Sequence, residues 1–304
     1  MKLALKVDVD TYRGTREGVP RLVRILERHG AGATFLFSLG PDHTGRAVRR
    51  VFRRGFVRKV ARTSVLEHYG LRTLLYGTVL PGPDIGARCA TTLASVRSAG
   101  FEVGVHSWDH VAWQDGVSTA DAGWTEREMR RACGRFEEIF GERPQVHGAA
   151  GWQMNAHAYR LEPRLGFRYA SDTRGREPFL PVCGGEAIAC PQLPTTLPTL
   201  DELIGVSGLT AQNVADHILG LSRDPPGSGH VYTLHAELEG MKLASGFERL
   251  LVGWKALGYE LVPLRAMAES LQAATLPRCR VVDGEIPGRS GRLSLQGELV
   301  TARP

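Results

Sequence analysis

The chain predicts a single-domain α/β fold, a barrel-like ring of parallel strands with helices outside, and three observations predict it. Short apolar runs that read as strands alternate about seven times with amphipathic runs that read as helices. Several of these strands stop in Asp or His, at the carboxyl ends where α/β folds assemble their sites. Finally, 304 residues with 42% hydrophobic and 23% charged content fit one soluble domain of this size, although length alone would also allow two.

Residues 2–8, with Leu3, Ala4, Leu5 and Val7, read as a buried strand running into Asp8-Val9-Asp10. A helix over 15–29 follows, with Val19, Leu22, Ile25 and Leu26 on one face, Pro20 in an early turn and Gly30 as its stop. Residues 33–38 form the next strand. After an insertion, 83–99 is helical and leads to an apolar strand over 101–105 that ends in His106-Ser107-Trp108-Asp109-His110. A helix over 125–140 carries Met129, Cys133, Phe136 and Phe140 in register, and Gly141 ends it.

Strand 145–149, helix 156–165, strand 167–171, a proline-rich loop and a helix over 210–221 come next. Strand 230–235 ends in Leu234-His235 and precedes a helix with Phe247, Leu250, Leu251, Trp254 and Leu257, stopped by Gly258. Strand 259–262 and a helix to about 273 close a domain spanning 1–273. Residues 274–304 are polar, contain Gly and Pro and lack periodicity, so they are expected to be a disordered appendage.

No run of about 18 apolar residues could span a bilayer. Cys89, Cys133, Cys183, Cys190 and Cys279 are odd in number, irregularly spaced and without a CxxC, which fits a reducing compartment better than a disulfide framework. The apolar start is broken by Lys6 and Asp8, so no export signal is expected. The net charge of +6 has one source: eight basic and no acidic residues lie between His43 and Leu66, and the rest of the chain holds 30 basic against 32 acidic.

A carboxylate with two imidazoles four residues apart is a divalent-metal ligand set that leaves positions for water and substrate. A lone HxxxH is more often surface or satisfied core. Three strand ends bearing Asp or His, at 8–10, 106–110 and 235, favour a metal-dependent hydrolase instead.

Asp8-Val9-Asp10, His106-x-x-x-His110 and Leu234-His235 resemble, in order and spacing, the first, second and fifth motifs of NodB-type polysaccharide deacetylases, the carbohydrate esterase 4-like family. Residues 7–22, His106 to Gln114, Ala149-Ala150-Gly151-Trp152, Ser171-Asp172-x-Arg174-Gly175, Leu193 to Thr199 and Tyr232 to Glu237 resemble one branch, the undecaprenyl-phosphate aminoarabinose deformylases. The likeness covers about residues 2–270. It implies a distorted (β/α)7-type barrel, one divalent ion (Zn, Mn, Co or Ni), and removal of a formyl group from a lipid-linked amino sugar. That chemistry serves lipid A modification and polymyxin resistance.

By that resemblance Asp10, His106 and His110 hold the ion, Asp8 on the same strand face is the general base, and His235 the general acid. Asp172 orients His235 from the fourth motif. Leu234, Trp152, Glu237, Tyr12 and Arg13 are candidates to meet substrate, with Glu237 placed to attract the product ammonium. The family's third-motif arginine is missing from Gly148-Ala149-Ala150-Gly151-Trp152. Arg174 is the candidate replacement, pairing with Asp8 or with the sugar phosphate, unless the backbone N–H groups of this stretch serve the oxyanion.

The insertion, about 43–83, spaces Val48, Val51, Phe52, Phe56 and Val60 helically with arginines largely opposite. Arg49, Arg50, Arg53 and Phe56 then face an anionic membrane surface, expected to be the cytoplasmic face of the inner membrane. An ordinary barrel helix with one charged face explains the same pattern. A deacetylase of peptidoglycan or chitooligosaccharide is the alternative enzyme. A nucleic-acid-binding protein would use the same arginines and the pI of 9.2, but no recognised nucleic-acid module accompanies them.

Overall fold

The computed structural model describes residues 1–47, 72–289 and 291–300. β1 (Lys2–Val9) is the centre of a seven-stranded sheet whose pairings are all parallel. β2 (Thr34–Ser38), β3 (Glu102–Ser107), β4 (Val146–His147) and β5 (Tyr169–Ala170) follow on one side, in that order. On the other side of β1 lies β8 (His230–His235), while β9 (Glu260–Val262) pairs with the start of β1.

The proline-rich loop closes the ring. Leu193 N donates to Ala170 O of β5 at 2.7 Å, and Thr196 N donates to Val231 O of β8 at 3.0 Å. An irregular segment therefore stands where a regular barrel would have another strand, because Pro191, Pro194 and Pro198 cannot donate to a ladder.

The period of two along β1 sorts its side chains. Leu3, Leu5, Val7 and Val9 are fully buried against the outer helices, while Ala4 packs in a separate inner core with Leu36, Val146, Tyr169, Leu193 and Val231. Lys6 and Asp8 share the face of Ala4 and so point into the barrel. The expected helices form, with shifts of a few residues where caps decide. Asp121 accepts from Trp124 N to start the helix Ala122–Phe140, earlier than expected, and Gly141 ends it at φ 71°. The helix expected from 15 begins instead as a π-helical turn, Gly14–Gly18, before regular helix over Val19–Arg28.

The described part of the tail expected to be disordered is ordered instead. β10 (Arg278–Gly284) and β11 (Leu293–Leu299) form an antiparallel hairpin that joins β6 (Leu180–Cys183) and β7 (Glu186–Ala187) in a second, four-stranded sheet. Its burial comes from docking rather than from its own composition. Arg174 N donates to Ser294 O at 3.0 Å, Gln296 N donates to Arg174 O at 2.8 Å, and Leu293 and Ser294 are buried. Most of the basic insertion, including Arg49, Arg50, Arg53 and Phe56, lies outside the described residues. Among the described residues, no helix is long and apolar enough to cross a membrane.

Candidate metal centre and its surroundings

Three side chains from two strand ends converge at the carboxyl mouth of the barrel. His106 Nε2 lies 3.2 Å from Asp10 Oδ1, and His110 Nε2 lies 3.4 Å from Asp10 Oδ2. The two imidazoles stack with centroids 5.4 Å apart. The trio offers one ligand atom each within 4.8 Å of one another. Local sequence sets this up: Asp109 caps the helix His110–Gly116, accepting from Val111 N and Ala112 N, and so fixes His110 on its first turn.

His106 Nδ1 bonds to Gly148 O at 2.5 Å, which leaves Nε2 with its lone pair toward Asp10. Asp10 Oδ1 is buried without a hydrogen-bond partner. Burial opposes its ionisation, yet the adjacent His110 and His106 outweigh that and hold the carboxyl well below the usual range. An ionised carboxylate whose two oxygens face two imidazole nitrogens, one oxygen without a hydrogen bond, fits a divalent cation.

Asp8 lies just beneath. Its Oδ2 is 3.4 Å from Lys6 Nζ, its Oδ1 is 3.8 Å from His106 Nδ1, and Oδ1 is buried without a hydrogen bond. The cation beside Asp8 is therefore Lys6, not Arg174. Lys6 is fully buried, donates to Ser171 O at 2.9 Å and sits 5.1 Å from the Trp152 ring centroid. Lys6→Met would leave Asp8 buried without its counter-charge. It is expected to lower stability by about 3–5 kcal/mol, with Lys6→Arg losing much less, as read from urea denaturation midpoints.

His235 ends β8, the immediate neighbour of β1. It stands opposite Asp8 in the ladder, so both side chains leave the same face. Asp172 does not reach it. That carboxylate is fully buried among His147 Nδ1 at 2.9 Å, Gln192 Nε2 at 2.8 Å and Ala149 N at 2.7 Å, with Glu162 Oε1 against the same His147 nitrogen at 3.1 Å. Asp201 takes the place expected of Asp172: its Oδ1 lies 3.8 Å from His235 Nδ1. The Ala149 N–H, being spent on Asp172, is not open to an oxyanion.

Arg174 turns from the mouth to Glu202 Oε1 at 2.5 Å and Leu197 O at 3.2 Å. Glu237 is buried, and its Oε1 accepts from Asp10 N, Thr11 N and Thr11 Oγ1, pinning the loop that carries Asp10. Burial and the nearby Asp10 push it well above the usual carboxylate range. Leu234 packs outward in the main core. Trp152 is 1% exposed and donates to Thr195 Oγ1, so it supports the floor instead of meeting substrate. Tyr12 and Arg13 flank the mouth, Tyr12 under the Arg16 guanidinium and Arg13 paired with Glu17.

A family model described as polysaccharide deacetylase matches residues 3–170. A curated relative from Shewanella sediminis, named probable 4-deoxy-4-formamido-L-arabinose-phosphoundecaprenol deformylase ArnD, is 36% identical over 98% of this chain and 96% of its own. A protein of the same name from Wigglesworthia glossinidia brevipalpis is 31% identical over 94% of this chain and 99% of its own. Among solved structures, a Mycobacterium smegmatis protein assigned to the polysaccharide deacetylases superposes with a TM-score of 0.64 at 18% identity, covering 94% of both chains. That likeness carries the fold.

Proposed function

The chain belongs to the polysaccharide deacetylase family, and on that premise we propose that it is a metal-dependent amidohydrolase acting on undecaprenyl-phosphate 4-deoxy-4-formamido-L-arabinose. The products are formate and the lipid-linked 4-amino-4-deoxy-L-arabinose used in lipid A modification. The observation that carries the reading is the Asp10–His106–His110 cluster, with Asp8 and His235 leaving adjacent strands beside it.

Asp10, His106 and His110 would hold one divalent ion, which when bound acidifies water and polarises the amide carbonyl. The remaining work falls to side chains. Asp8, whose Oδ1 has no hydrogen bond to give up, accepts the proton of the attacking water as it adds to the formyl carbon. His235 delivers a proton to the amine nitrogen as the C–N bond breaks, and Asp201 keeps its ring turned to the site. Lys6 supplies the counter-charge beneath Asp8.

A polyprenyl chain stays in its bilayer, so the enzyme must work at the membrane surface. The eight basic residues between His43 and Leu66 suit an anionic leaflet, and we place the enzyme as a peripheral protein on the cytoplasmic face of the inner membrane.

One experiment tests the whole reading. Formamido- and acetamido-arabinose phospholipids are presented in anionic and in neutral vesicles, with release of formate, acetate and amine followed and the protein bound to pelleted vesicles measured. Formate should be released, faster from anionic vesicles that also carry the protein down, and a chelator should abolish release until Zn, Mn, Co or Ni is restored. Acetate release without formate would assign the chain to the N-deacetylases of the family. Equal rates and no sedimentation with either vesicle would remove the membrane placement.

A further inference from the structure

We propose that the C-terminal hairpin completes the proton-donating side of the site, with Arg289 as a positioning residue that holds Asp201 beside His235. This rests on the reading of His235 as proton donor.

Arg289 sits on the connection between β10 and β11, and its guanidinium reaches the 199–202 turn. Nε donates to Glu202 Oε1 at 2.7 Å, Nη2 to Thr199 Oγ1 at 2.8 Å and to Asp201 Oδ1 at 3.3 Å, while Nη1 lies 3.2 Å from Asp201 Oδ2. Both Asp201 oxygens therefore face one rigid, planar donor, which fixes the plane of the carboxylate. The guanidinium also lies 4.6 Å from the Trp152 ring centroid, on the same indole that Lys6 and Arg174 approach.

The approach is built by the backbone. Gly288 has φ 93°, and a Cβ there would come 2.6 Å from Glu202 O, so the hairpin reaches the turn only because this position has no side chain. The hairpin itself is seated by its ladder to β6 and by the bond from Gln153 Nε2 to Arg292 O at 3.3 Å. Asp201 needs such a restraint. Its side chain is 25% exposed and Thr199 Oγ1 donates to Oδ1 alone at 2.6 Å, so loss of Arg289 would release Oδ2 and let the carboxylate plane turn away from His235. Its separation from His235 is within ion-pair range but beyond a hydrogen bond, so small rotations of the carboxylate change the interaction substantially. Arg289 and His235 together outweigh burial and hold Asp201 below the usual carboxylate range.

The test compares Arg289→Ala, Arg289→Lys, Asp201→Asn, the Asp201→Asn/Arg289→Ala pair and His235→Asn in the full-length, metal-loaded protein. Arg289→Ala should lower kcat on the order of tenfold to a hundredfold with KM little changed, and Arg289→Lys should recover part of the loss. If Arg289 acts through Asp201, the double variant should be no slower than Asp201→Asn alone.

Should Arg289→Ala not fold, the lysine variant and the same cycle built with Arg289→Gln carry the test. An inactive His235→Asn beside Arg289 variants within about twofold of wild type would overturn this inference alone. Full turnover by His235→Asn would instead remove the reading on which it rests. A rise in KM at constant kcat would place Arg289 on the substrate and likewise overturn the positioning role.

Discussion

Asp8→Asn is expected to lower turnover by about 10²–10⁴-fold while the protein keeps its ion. The substitution preserves shape and removes the proton-accepting carboxylate beneath the cluster. Asp8 Oδ1 is buried and makes no hydrogen bond, although His106 Nδ1 is only 3.8 Å away, because that ring has already committed its Nδ1 to Gly148 O. Were Asp8 there to orient His106, the two would share that proton. Ion content follows Asp10, His106 and His110, which make up the cluster without Asp8. Metal analysis after dialysis, with turnover measured on the same samples, checks both halves. Asp10→Asn should lose the ion as well as activity. An Asp8→Asn protein that also comes out of dialysis empty would mean that Asp8 is a ligand or a ligand's support, and the division between base and ligand would be wrong.

The alternation of strands and helices was legible because each βα unit advertises itself by period and cap, and the ends of β1, β3 and β8 could be read directly from Asp and His at the close of apolar runs. Residues whose roles depend on distant segments were not legible. Lys6 had one available signal: on a strand of period two it shares the face of Asp8, yet a lysine in an apolar run reads first as an interruption. Asp172 stands at a strand end as expected, but His147 and Gln192 capture it, and both come from other parts of the chain. Asp201 belongs to a capping box, Thr199 with Glu202, and its nearness to His235 arises from barrel closure by the proline-rich segment. The hairpin over 278–299 is polar along much of its length, and what orders it is a ladder to β6 nearly a hundred residues earlier. Composition carries no trace of such a partner.

His235→Asn is expected to cost about 10²–10⁴-fold in turnover on the amide, and much less on an aryl ester of the same acyl group. The reason lies in the leaving group. An amine cannot depart as its anion near neutral pH, so the C–N bond breaks only as a proton arrives; an aryloxide departs unaided. Attack of water is common to both substrates, so Asp8→Asn should slow both alike. His235 is placed for the later step: it leaves the β8 face next to Asp8, and its side chain is 10% exposed, close enough to solvent to be reprotonated after each turnover. A buried ring used only for packing would show no such dependence on the leaving group. Rates for wild type, Asp8→Asn and His235→Asn on matched amide and ester substrates separate the two steps. If His235→Asn loses equally on both, the imidazole acts before the bond breaks, and the proton for the amine must come from another group or from water.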